Sequence, residues 1–220
     1  MCFSPQGDLA AGLVVTAIGI GAIRQLRHRH DHVALAVFPV LLGLHQIDEA
    51  FVWWSLQGHV SHGVGRVAMW IYLLIAFVVL PTLVPIVVML LEPTARRRWR
   101  IVPFLPIGLG VSVVSLVTML RHAPSAALGS YHLAYSVGLP HGLVVVGLYI
   151  VATCGSLLAS SYRHIRWFGV ANLAAVVVLA LLAANGFASL WCFYAAIASA
   201  AILLHMRYAK PHRAAPFVLS

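Results

Sequence analysis

The sequence predicts an all-α integral membrane protein. It is one bundle of seven transmembrane helices over residues 1–220, N-terminus outside and C-terminus in the cytoplasm. Three observations predict it. The chain is 62% hydrophobic and only 9% charged, against roughly 25% charged residues in a soluble domain. Seven apolar runs approach the ~20 residues that a membrane-spanning helix needs. Twelve of the fourteen lysines and arginines fall on one side of the alternating loops, and such an excess marks the cytoplasmic side.

The elements follow in order. A first span over 8–23 leads into a loop with Arg24, Arg27 and Arg29, interleaved with His28, His30 and His32. A second over 33–57 contains the segment GLHQIDEAFVWW, and the outer loop after it carries His59, His62 and Arg66. A third over 67–91 contains Pro81 and Pro85. Each proline removes a backbone donor and can kink the helix, which a bundle tolerates where neighbours satisfy the freed carbonyls. Arg96, Arg97, Arg98 and Arg100 precede a fourth span over 101–120. An outer loop with Arg121, Tyr131, His132 and Tyr135 leads to a fifth over 141–161. Arg163 and Arg166 precede a sixth over 166–185, and a seventh over 188–206 ends at Arg207, Lys210 and Arg213. An odd number of spans fits termini on opposite sides. No internal repeat and no linker divides the chain.

The net charge of +9 could suggest nucleic acid, but the basic residues sit in short loops between apolar runs. Membrane topology accounts for them, so the expected surroundings are a lipid bilayer and no nucleic acid is expected. Cys2, Cys154 and Cys192 form no CxxC pair, and free, buried thiols are the expectation. No basic stretch precedes the first apolar run, so no cleavable signal peptide is expected.

The chain has only five acids. Asp31 and Glu92 fall at the cytoplasmic ends, where an acid is ordinary. Asp8, Asp48 and Glu49 fall in the outer half. Glu49 lies eight residues from the end of its span, so ~12 Å deep at helical rise. An acid at such a depth is costly and points to function. Residues three and four apart share a helix face. His45, Glu49, Val52, Trp53 and Leu56 therefore form one arc, with Asp48 at one edge and Gln46 at the other. That arc must face the bundle.

Trp70, Tyr72, Tyr131, His132, Tyr135, His141, Trp191 and Tyr194 fall in the same outer half. Tryptophan and tyrosine concentrate at membrane interfaces in any case. Interface preference does not account for four polar residues well below it.

A carboxyl removed from water disfavours its charged form, and a neutral acid can donate a proton. Aromatic faces stabilise a passing cation. Together these meet the needs of a protonation-initiated polyene cyclisation, an isomerisation. The acid protonates an alkene, cations migrate along a folded chain, and a base takes a proton back. Glu49 is the expected donor, with His45 and Asp48 as base or relay. Gln46, Trp53, Trp70, Tyr72, Tyr131, Tyr135, His141, Trp191, Tyr194 and Asp8 would line the substrate site. No cofactor and no metal ligand is expected, and the substrate would be a hydrophobic prenylated small molecule. Two alternatives stand beside this reading. One is a metal- or haem-binding membrane protein, since twelve histidines are many. The other is a proton-coupled small-molecule transporter, since intramembrane acids and helix-breaking prolines suit one.

The start MCFSPQGDLAAG, the segment HQIDEAFVWW, the loop LLEPTARRR and the end FASLWCFYAAIASA resemble a family of small bacterial membrane proteins that begin MCFS. The resemblance covers nearly the whole chain, and most members of that family are uncharacterised. The chain also looks like the small membrane terpene cyclases of bacterial drimentine-type indole sesquiterpenoid pathways. Those act without a metal on farnesylated indole compounds, including prenylated cyclodipeptides. This resemblance implies that Glu49 matches the catalytic acid of the second span. Asp48 beside it departs from the usual pattern, which puts a required role for Asp48 in doubt. The implied location is the bacterial cytoplasmic membrane, crossed several times.

Overall fold

A computed structural model describes residues 4–24, 33–129, 133–182 and 199, with backbone alone at 33–36 and 178–182. Helices stand at six of the seven predicted positions: α1 (Pro5–Arg24), α2 (Val33–Leu56), α3 (His62–Leu91), α4 (Phe104–Arg121), α5 (Gly142–Ala159) and α6 (Arg163–Leu182). The seventh predicted span, 188–206, lies outside the described residues apart from Ser199. Four of these helices, α1, α3, α4 and α5, are long and apolar enough to cross a membrane. Their outward faces are apolar: Leu13, Val67, Leu109 and Leu143 are all exposed. Large exposed apolar faces suit a lipid environment rather than water.

One element departs from the all-α expectation. The loop after α4 forms an antiparallel hairpin, β1 (Ser125–Leu128) and β2 (Leu133–Ser136), with Ala126 opposite Tyr135. Its Leu133 and the following Val137 are buried in a cluster with Val52 and Trp53 of α2, Met69, Tyr72 and Leu73 of α3, and Met119 of α4. The hairpin therefore closes this end of the bundle. A second cluster fills the other end, where Val87, Val88 and Leu91 of α3 meet Ile101, Leu157 and Ile165.

Local chemistry sets the helix ends and crossings. Ser4 caps α1 by accepting from the Gly7 N–H at 3.1 Å, and Pro5 follows at the first helical position, where its missing donor is no loss. Glycines let α1 and α2 touch backbone to backbone. A Cβ on Gly12 would strike Ile47 and the Gly43 carbonyl, and one on Gly19 would strike Val40. At the next corner Gly65 lies directly on Ser55, bringing the start of α3 onto the end of α2.

The prolines of α3 do not break it. Residues Leu74–Val79 widen into a π-helical stretch just before Pro81, a common accommodation of an interrupted ladder. Ser112 Oγ of α4 donates to the Val78 carbonyl at 2.6 Å, and lies 2.8 Å from Thr82 Oγ1. A hydroxyl from a neighbouring helix thus bonds the backbone of the widened stretch. A matching π-helical stretch, Val151–Gly155, interrupts α5, with Gly155 against the Phe104 ring. Cys154 there is free and buried, and the Asn172 Nδ2 of α6 donates to its sulfur at 3.3 Å.

Candidate functional site

The GLHQIDEAFVWW segment is the last half of α2, and its burial follows the helical arc. His45, Gln46, Glu49, Val52 and Trp53 are buried, whereas Leu44 and Phe51 are exposed. Together with Val37 these exposed residues make a stripe seven apart on the opposite face, the spacing of two helical turns. Glu49 is 1% exposed. Asp48, at the edge of the arc, is half-buried, and its carboxyl approaches the Tyr72 backbone.

Asp8 joins this level from α1. The α1–α2 contact is antiparallel, with Gly12 on Gly43 and Ile47 and Gly19 on Pro39 and Val40. That register carries Asp8, one turn before Gly12, to the height of the Asp48–Glu49 pair. Asp8 is fully buried. It also lies in the first turn of its helix, where the positive end of the helix dipole favours a carboxylate.

Three rings stack beside the acids. The His45 imidazole lies on Tyr72, with centroids 4.1 Å apart and planes 12° apart. Tyr72 lies on Tyr135, with centroids 4.7 Å apart and planes 16° apart. One column thus links α2, α3 and the hairpin. Trp53 is buried against it and Trp70 packs on the same cluster. Among the described residues, His45 Nδ1, Trp53 Nε1 and Asp48 Oδ2 are buried without a hydrogen-bond partner. A buried polar atom left unsatisfied costs about 1–3 kcal/mol, and native structures usually keep such atoms for a reason.

The remaining expected residues fall elsewhere. His141 is exposed in a left-handed conformation (φ 50°) at the start of α5, so the structure does not bring it to the stack. Tyr131, Trp191 and Tyr194 lie outside the described residues, as does His132. Among the described residues no three His, Cys, Asp or Glu side chains are grouped to hold a metal ion.

Glu92 corrects the expectation of an ordinary acid at a helix end. It follows the last residue of α3 and is 1% exposed. Its Oε1 accepts from Ser160 Oγ and from the Ser161 N–H, each at 2.7 Å, while its backbone carbonyl accepts from Arg98 Nε at 3.0 Å. Burial pushes this carboxyl up. The hydrogen bonds from Ser161 and Ser160 and the charge of Arg97 outweigh that and hold it below the ordinary glutamate value. The pair Ser160–Ser161 just before a basic helix start was the sequence signal for this clamp, and it only gains meaning beside Glu92.

A family model described as a family of unknown function (DUF6629) matches residues 1–216. The chain belongs to the DUF6629 family. No curated protein and no solved structure matches it. The acid and aromatic end therefore stands in a DUF6629 protein on its own geometry.

Proposed function

We propose that this DUF6629 protein is a membrane-embedded, cofactor-independent terpene cyclase. Its substrate would be a farnesylated indole-type compound, closed into rings through carbocations. The observation that carries the reading is an acid and a base one helical turn apart. Glu49 and His45 are 1% and 4% exposed, four residues apart on α2, and His45 Nδ1 has no partner among the described residues.

In the proposed step the Glu49 O–H gives its proton to the terminal alkene of the prenyl chain. The remaining alkenes attack the resulting cation and close rings. A C–H beside the last cation then loses its proton to His45 Nδ1, with Asp48 as a relay at the edge of the site. One proton enters and one leaves, so the product is an isomer of the substrate. The faces of Tyr72, Tyr135, Trp53 and Trp70 suit the cations by cation–π attraction and exclude water that would quench them. Gln46 would orient the indole part. Asp8, level with Glu49, would return a proton to it from the outer side. Tyr131, Trp191 and Tyr194 would add aromatic faces from outside the described residues, and His141 would stand at the rim.

We further propose seven membrane crossings, N-terminus outside, in the bacterial cytoplasmic membrane. Arg24, Arg96, Arg97, Arg98, Arg100, Arg163 and Arg166 all fall at the end of the bundle opposite Glu49, which supports that orientation.

The test incubates membranes containing the protein with a farnesylated indole. A product of unchanged mass and new retention time, with ring carbons resolved by NMR, is the expected result. An unaltered substrate pool in the presence of folded protein would contradict the reading.

A further inference from the structure

A cavity of ≈ 500 Å³ lies at the arginine-rich end, lined among others by Arg97, Arg100, Arg166, Ser160 and Ser161. Its arginines come from three places in the chain. Arg97 belongs to the short helix Ala95–Arg98, Arg100 to the turn before α4, and Arg166 to the first turn of α6. No carboxylate is among the residues lining it.

Three exposed guanidinium groups around one cavity create a positive potential that attracts an anion. The nearest acid, Glu92, answers only part of this. It is buried behind the wall, and its Oε1 is already taken by Ser160 and Ser161. Its field reaches Arg97. Arg98 has a structural task instead, donating to the Glu92 carbonyl. Ser160 and Ser161, which hold Glu92 from behind, form the wall between the guanidinium groups. Guanidinium forks are the groups that recognise phosphate oxygens.

Height in the bundle says which phosphate. The cavity lies just beyond Leu91 of α3 and Ala159 of α5, where two apolar helices end. Trp99 and Trp167 beside it are 70% and 61% exposed, and tryptophan favours the headgroup level of a bilayer. An anion fixed at that height is a lipid headgroup. The cavity volume lies within the ~300–1,000 Å³ usual for small-molecule sites, more room than a lone phosphate needs. We propose that this cavity binds the phosphodiester headgroup of an anionic phospholipid. The proposal rests on the membrane reading and is independent of the cyclase chemistry at the other end.

The test is native mass spectrometry of the full-length protein in detergent, titrated with phosphatidylglycerol or phosphatidylcholine. Wild-type protein should retain phosphatidylglycerol in preference to phosphatidylcholine. The double variant Arg97→Gln/Arg166→Gln should lose about thirtyfold in that retention, taking ~1 kcal/mol for each basic residue near a lipid surface. The control Arg96→Gln/Arg121→Gln, at positions outside the lining, should retain the lipid as wild type does. Equal retention by the lining variant and wild type would overturn the proposal. So would equal retention of the two lipids by wild type, a result that holds even if the variant fails to fold. Inorganic phosphate that binds alone and displaces phosphatidylglycerol at millimolar concentration would assign the cavity to free phosphate and overturn the lipid assignment.

Discussion

Glu49 and Glu92 are buried to the same degree, each 1% exposed, at opposite ends of the bundle. Their surroundings differ. Glu92 ties two turns together: a hydroxyl and a backbone N–H converge on one oxygen, and arginines stand nearby. Glu49 lies inside α2, one turn from His45 and the aromatic column, with Asp8 at its height. Burial alone therefore assigns no role to an acid. Donors that converge on a carboxylate fix it as a charged structural clamp. An acid beside an unpartnered base and aromatic faces is suited to moving a proton.

Removing each acid separates the two roles. Glu49→Gln should lower cyclisation by about 10²–10⁴-fold, the usual contribution of a general acid, with little change in melting temperature. Asp48→Asn, at the half-buried edge, should cost less turnover than Glu49→Gln. Equal losses would erase the distinction drawn between the two neighbours.

Glu92→Ala should do the reverse. It leaves the Ser160 hydroxyl and the Ser161 N–H without their acceptor, which costs about 2–6 kcal/mol of stability at 1–3 kcal/mol for each, and the folded fraction should keep its turnover. Because the folded-state value of Glu92 lies below the ordinary one, its contribution is present above the unfolded value and lost as pH falls through the folded one. The stability gap between wild type and Glu92→Gln, read by thermal melts in detergent, should therefore shrink on acidification. A gap that grows at low pH would reverse the sign assigned to this clamp.

A smaller effect belongs to the hairpin. Tyr135→Leu removes the outermost ring of the column and should cost about 0.5–1.5 kcal/mol, the value of one aromatic pair. It should also lower turnover more than it lowers stability. A variant that loses stability alone would make the column a packing device.

Helical arithmetic made much of the acid end legible. The spacing of His45, Glu49 and Trp53 placed them on one buried face, and the position of Asp48 placed it at the edge. Composition and apolar runs located the helices, although of the seven expected spans four are long and apolar enough among the described residues. The hairpin was hidden because SAAL and LAYS are four residues each and rich in alanine, a poor strand former. Gly129 followed by serine between two short runs is the signal that could have found it. The clamp was hidden because Glu92 reads as the solvated end of an apolar run, and its partners lie 68 and 69 residues away. The widening before Pro81 was legible only as a kink, since Ser112 comes from another helix.

The central claim is that Glu49 starts the reaction by giving up its proton. The direct measurement runs the reaction on a farnesylated indole in D₂O and locates deuterium in the product by mass spectrometry and NMR. The account predicts one carbon-bound deuterium, at the carbon where cyclisation begins, and no such product from Glu49→Gln. A cyclised product without that deuterium, or full turnover by Glu49→Gln, would contradict it.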